Sequence, residues 1–276
     1  MGQKTKKRIS NIVLNILTII VVFITLAPLL WFIQIALKPQ VLAFKMPPEF
    51  IFVPTFENFG HVLGSVNFLN AYKNSFIVSF STTAIALLLG ITSGYSLARA
   101  KSKIFGFMGV WIILSRMSPP MVFLLPFYVM LRAIGWHGTL QGIIITYLVI
   151  TIPFVTWLMS SYFKTVPLEV EEAAFIDGCN RIEILFRVCV PIAVPGIVTA
   201  AIFTFIAAWN EFLFALILTQ RSTKTVPILI QGFMSSDGIM WGDLASTSIF
   251  VIAPVLLVTM VSQKGFVRGL VGGAIK

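Results

Sequence analysis

A chain of 276 residues that is 58% hydrophobic and 11% charged departs from soluble globular domains, which average about 45–50% apolar and about 25% charged residues. Its apolar residues gather into runs near the ~20 residues that cross a bilayer, which excludes a soluble enzyme or a soluble nucleic-acid-binding domain as the main body. The net charge of +10 places basic residues at the ends of those runs, a pattern of membrane orientation rather than of a nucleic-acid face.

Residues 1–11 carry Lys4, Lys6, Lys7 and Arg8 ahead of the first apolar run, 12–37. That run exceeds the ~7–15 residues of a signal-peptide core and lacks a small-x-small cleavage site, so it is expected to stay as an anchor. Residues 38–73 hold Pro39, Pro47, Pro48 and Pro54 and read as a folded outer loop with a short amphipathic piece. Five further runs follow, at 74–98, 105–131, 140–163, 191–219 and 244–261, and a tail occupies 263–276. All six are predicted helices, because in lipid the backbone has to satisfy its own hydrogen bonds. Ser75, Ser79, Ser81, Thr82, Thr83, Gly90 and Gly94 in the second run are small residues that let helices approach closely.

Thirteen of the 20 Lys and Arg residues fall on the side of the N-terminus and six on the other, which predicts both termini in the cytoplasm. Cys179 and Cys189 then flank a cytoplasmic loop, where a reducing compartment argues against a disulfide. Two cysteines without a histidine cluster also argue against a metal site. His61 and His137 fall in outer loops as ordinary surface residues.

Two runs carry a charge inside the membrane, Arg116 and Glu211. Burying either is costly, which makes each a candidate functional residue. Arg116 precedes Met117-Ser118-Pro119-Pro120, and the two prolines are expected to break or bend the helix there. Non-helical backbone at that depth is tolerated where it lines a water-filled space. One reading is a substrate path lined by Arg116, Ser118, Trp209, Asn210 and Glu211, with Trp111 or Trp209 as an aromatic face. The other is that Arg116 and Glu211 only neutralise each other or a partner subunit.

The most informative segment is the polar insert 164–190. Thr165 is a candidate helix cap with Pro167 in the first turn, and Glu169, Glu171 and Glu172 complement the helix dipole. Gly178 suits the left-handed residue that closes a helix. Asn180 with Glu183 reads as a capping box for a second helix, whose apolar face would be Ile182, Leu185, Phe186 and Cys189. Ala173 and Ala174 let another surface come close, with Phe175 and Ile176 as apolar anchors. By itself this pattern fits equally a helix laid in a partner's groove and a helix resting on lipid.

Glu172-Ala173-Ala174, Gly178, Val188, Val190 and Pro191, at their spacing, resemble the E-A-A signature of ABC importer permeases, with Val at two positions where that family favours Ile and Leu. Asn74-Ser75, Tyr95-Ser96-Leu97-Ala98-Arg99, Trp209-Asn210-Glu211-Phe212 and the Phe266–Lys276 tail are similar to the smaller six-helix subunit of maltose-type carbohydrate permeases. The resemblance covers nearly the whole chain. It implies an all-α membrane protein with six transmembrane helices in a type I ABC importer permease fold, its core at 74–262. It implies a bacterial inner-membrane location and import of a sugar or sugar derivative. The coupling residues it implies are Glu171, Glu172, Ala173, Ala174, Phe175, Asp177 and Gly178, with a second ATPase contact at Gly273, Ala274 and Lys276. Implied partners are a second homologous permease, an ATPase homodimer, an outer sugar-binding protein and the lipid bilayer, but no nucleic acid. ATP and Mg would be bound by the ATPase. The chain has neither a Gly-x4-Gly-Lys-Ser/Thr loop nor a visible catalytic set, so it is expected not to be an enzyme and to hold no cofactor. The alternative is an ion-coupled secondary transporter that uses Arg116 and Glu211.

Overall fold

The computed structural model describes the backbone of residues 2–45, 47–235 and 238–274, and the side chains of 11–45, 47–234 and 239–262. The tail contact expected at Gly273, Ala274 and Lys276 lies outside the described side chains. In chain order the elements are α1 (Gly2–Ala36), α2 (Glu57–Gly64), α3 (Val66–Arg99), α4 (Lys103–Met117), α5 (Met121–Ala133), α6 (Leu140–Phe163) and α7 (Leu168–Ile176). There follow α8 (Arg181–Glu183), a π-helical turn (Ile184–Cys189), α9 (Val190–Ile192), α10 (Val194–Trp209), α11 (Leu213–Leu218), α12 (Val226–Gly232), β1 (Met234–Ser235), β2 (Gly238–Ile239) and α13 (Trp241–Ala274). The two short strands pair antiparallel, Met234 opposite Ile239, and the other elements of the described residues are helices joined by turns and loops.

Among the described residues, four helical stretches are long and apolar enough to cross a membrane: Asn11–Ala36, Val66–Arg99, Leu140–Phe163 and Trp241–Ser262. Two bent pairs bring the number to six: Lys103–Met117 with Met121–Ala133, meeting at 98°, and Arg181–Ile192 with Val194–Trp209, at 82°. Counting each bent pair as one span gives six, and the helices differ from the predicted runs in three ways. The second helix begins at Val66, not at 74, because Phe68, Ala71, Asn74 and Ser75 already share its buried face. The third turns through nearly a right angle at Ser118-Pro119-Pro120, where proline removes a donor and clashes with the preceding turn. The fifth is not continuous over 191–219, since α10 ends at Trp209 and α11 starts only at Leu213.

The contacts separate the chain into two compact units, residues 1–66 with 230–252 and residues 67–229 with 253–276. In the first, Ile35, Ala36 and Ala245 form a small core beside Phe32, Phe59 and Trp241. Asn58 ties it together by donating to the carbonyls of Ala36 (2.9 Å) and Lys38 (2.7 Å). His61 Nδ1 lies 3.8 Å from Asp243 Oδ1 there.

The second unit is built on close helix contacts. A Cβ on Gly90 would lie 2.6 Å from Val155 Cβ, and one on Gly94 would lie 2.8 Å from Met159 Cβ. These glycines are what let α3 lie against α6, and Ser93 and Thr156 bond across the same contact at 2.7 Å. Gly196 does the same for α10, where a Cβ would meet the ring of Tyr162 at 2.6 Å. Asn74 and Ser75 have a defined role as well. Asn74 Nδ2 donates to the carbonyls of Ser222 (2.9 Å) and Lys224 (3.0 Å), and Ser75 Oγ accepts from Val226 N–H at 2.9 Å. Three backbone groups at and just before the start of α12 are thereby satisfied by adjacent side chains of α3.

Candidate functional site

Two regions of the second unit carry the residues that the sequence singles out. The first is the insert between α6 and α10. Thr165 does not cap α7: its hydroxyl donates to Tyr162 O at 2.7 Å, and Pro167 stands at the cap position without a side-chain bond. Gly178 closes the segment at φ +91, a conformation that side chains resist. The Asn180–Glu183 capping box is complete, Asn180 Oδ1 accepting from the N–H groups of Ile182 and Glu183 at 3.0 Å while Glu183 Oε2 accepts from Asn180 N–H at 2.9 Å.

The helix after that box does not present the face its spacing predicts. Ile184, Leu185 and Cys189 are buried, whereas Ile182 and Phe186 are exposed. A π-helical turn over Ile184–Cys189 adds residues per turn and rotates the inward face away from the 3.6-residue register. The thiols of Cys179 and Cys189 are both free.

α7 has two different sides. Phe175 and Ile176 are 60% and 84% exposed, and Glu172, Ala173, Asp177 and Gly178 are exposed beside them, with Ala174 half-buried. The guanidinium of Arg181 lies 5.7 Å from the Phe175 ring centre, a cation held on an aromatic face. Glu171 faces the other way and is 4% exposed. It forms an ion pair with Arg99 (2.6 Å) and accepts hydrogen bonds from Arg99 Nε (2.7 Å), the Tyr95 hydroxyl (2.9 Å) and the Cys189 thiol (3.2 Å). Burial pushes its carboxyl upward, but the bonds from Arg99, Tyr95 and Cys189 together outweigh burial and hold its pKa below the usual value. From the sequence, Glu171 looks like one of three equivalent acids in a helix first turn. Tyr95 and Arg99 lie far away in sequence, so no spacing rule joins them to it.

The second region is a cavity of about 730 Å³ at the α4–α5 bend, walled by α6 and α10. Arg116, Ser118, Trp111, Phe123, Phe154 and Phe203 are among its lining residues. The Arg116 guanidinium stacks over Phe154 (4.8 Å) and Trp157 (5.4 Å), and among the described residues no carboxylate pairs with it.

Trp209, Asn210 and Glu211 do not line this cavity. Trp209 is 1% exposed and packs against Phe76, Tyr72 and Phe205. Glu211 sits in the gap before α11, where its two carboxylate oxygens accept from Phe214 N–H (2.9 Å) and Ala215 N–H (3.1 Å). It therefore caps a helix N-terminus, and the suggested neutralisation of Arg116 by Glu211 is not made. Neither Asp/Glu nor His/Cys groups of three or more gather as a metal-binding cluster among the described residues.

Comparison with known proteins gives a consistent answer. Residues 86–271 match the family described as binding-protein-dependent transport system inner membrane component. The trehalose transport system permease protein SugB of Mycobacterium tuberculosis is 33% identical over 266 residues, covering 95% of this chain and 96% of that protein. The trehalose/maltose transport system permease protein MalG of Thermococcus litoralis is 30% identical over 286 aligned residues, covering 100% of this chain and 99% of that one. Among solved structures, a chain of a bacterial ABC transporter that imports the acidic polysaccharide alginate superposes with a TM-score of 0.78 at 22% identity, covering 94% of this chain and 97% of that chain.

Proposed function

We propose a function from one premise: the chain belongs to the family of binding-protein-dependent transport system inner membrane components. It is a multi-pass membrane permease of the ABC importer class. The cargo is a sugar or sugar derivative, as the trehalose and maltose permeases among its relatives suggest. The reaction is movement rather than bond-making. ATP and Mg belong to separate ATPase subunits, a second permease completes the translocation path, and an outer binding protein delivers the cargo. Both termini lie in the cytoplasm, on the side richer in Lys and Arg.

One observation carries the coupling role: α7 exposes Phe175 and Ile176 on one side while Glu171 anchors its other side. An apolar pair beside Ala173 and a left-handed Gly178 suits a helix that enters a cleft on a partner. Glu172, Ala173, Ala174, Phe175, Asp177 and Gly178 form the docking surface, with Gly273, Ala274 and Lys276 as a second contact. The cargo passes the α4–α5 bend, where Ser118 and the stacked Arg116 offer donors beside aromatic faces. Two opposed bundles alternate access around such a path, and this chain supplies one of them. An ion-coupled secondary transporter is not favoured, because Glu211 is engaged as a helix cap.

The test is uptake in vesicles that contain the full complex. Glu172→Lys and Gly178→Asp are each expected to abolish ATP-driven uptake while the chain remains inserted and abundant. Normal uptake in both variants rejects the docking role.

A further inference from the structure

A partner that displaces α7 moves the membrane spans only if α7 is fixed to them. On the chain itself the attachment is slender. Residues 164–167 join α7 to α6, and on the other side the chain leaves it through Asp177 and Gly178, where a Cβ on the glycine would meet nothing within 4 Å. Packing of Val166, Ala174 and Cys179 near Ile184 and Leu185 adds apolar contact. Apolar contact is non-directional and lets surfaces slide.

The Glu171 carboxylate supplies the direction. Its bonds join α7 to two other elements at once: the last turns of α3 through Tyr95 and Arg99, and the π-helical turn that leads into α9 and α10 through Cys189. Arg99 Nη2 extends the set by donating to Val166 O at 2.9 Å, the residue just ahead of α7. Arg99 thereby holds both the helix and the strand of chain that feeds it. Both carboxylate oxygens of Glu171 and the Nε and Nη2 of Arg99 have partners, and removal of one member of a buried pair strands the other charge, so the set resists opening.

We infer that Glu171 and Arg99 are positioning residues that lock α7, the end of α3 and the turn before α10 into one body, so that displacement of α7 by the ATPase reaches two spans instead of bending the loop. This inference rests on the docking role proposed above. Glu171 would not touch the ATPase or the cargo. Its neighbour Glu172, which is exposed, belongs to the docking surface instead.

The deciding measurement is the ratio of cargo moved to ATP hydrolysed by the complete complex in proteoliposomes. Glu171→Gln and Arg99→Lys are expected to copurify with the ATPase and to hydrolyse ATP, but with uptake per ATP lowered by roughly tenfold, the scale of one coupling contact. A residue that serves only the fold would lower the amount of complex and leave that ratio unchanged. An unaltered ratio in both assembled variants overturns the inference. Should Glu171→Gln fail to insert, Tyr95→Phe removes one hydroxyl without stranding a charge; a ratio reduced about twofold or more supports the joint, and an unaltered ratio overturns it. Phe175→Ala with Ile176→Ser separates the two claims. If that double variant still binds the ATPase and transports normally, the docking role fails and the joint with it. If it loses the ATPase while Glu171→Gln and Arg99→Lys keep full coupling, docking stands and only the joint is lost.

Discussion

Arg116, in the last turn of α4, and Glu171, in α7 of the polar insert, are both charged, and the protein treats them in opposite ways. Glu171 is enclosed and paired, with an arginine, a tyrosine and a thiol each pointing at its oxygens. Arg116 has two aromatic rings beneath it, no carboxylate among the described residues, and a cavity of about 730 Å³ in front. A charge whose hydrogen bonds are all internal has nothing left to offer a ligand, so its work is to hold elements together. A charge that lines a cavity and rests on aromatic rings still has donors to offer, which is what the proposed cargo role of Arg116 requires.

The contrast predicts different kinds of damage. The largest effect on folding is expected from Glu171→Ala, which strands Arg99 in a largely buried site at a cost of about 3–5 kcal/mol; thermal unfolding of the detergent-purified chain should show it as a large loss of midpoint. Arg116→Ala should do the reverse. Only stacking worth about 0.5–1 kcal/mol is lost, so the unfolding midpoint should hardly move. Uptake should fall on the order of tenfold, as expected when a charged hydrogen bond of about 1.5 kcal/mol or more to the cargo is removed. A midpoint drop as large as that of Glu171→Ala would place Arg116 among the structural charges and erase the comparison.

Acid sharpens the same distinction. The folded pKa of Glu171 is depressed, so its contribution is fully present above the usual 4.5 and is lost as pH falls through the lower folded value. The midpoint of the natural protein should therefore fall more steeply below pH 4.5 than that of Glu171→Gln, in which this carboxyl cannot titrate. Parallel curves would mean that the ion pair contributes little. The smallest effect belongs to Glu211→Ala, which removes one helix cap and should cost about 1 kcal/mol in the same unfolding measurement, with Arg116-dependent uptake retained. Loss of uptake at unchanged stability would instead return Glu211 to the cargo path.

Much of this protein is legible from residue order alone. Bilayer-length apolar runs identify six membrane segments, because lipid offers no partner to an unpaired backbone group. Pro119-Pro120 mark the bend, since proline cannot continue a helix, and Asn180 with Glu183 mark a helix start three residues apart. Each of these is a local effect. What the order of residues does not carry is which side chains meet. The inward turn of Glu171 depends on Tyr95 and Arg99 more than 70 residues away. The buried face of Ile184, Leu185 and Cys189 depends on a π-helical turn that breaks the 3.6-residue period on which a sequence pattern relies. Glu211 looks like a charge inside a span until the gap at Asn210–Phe212 supplies the helix end it caps. Local propensity and solvent exclusion are written residue by residue, whereas the partner of a buried charge is selected only when distant helices pack against one another.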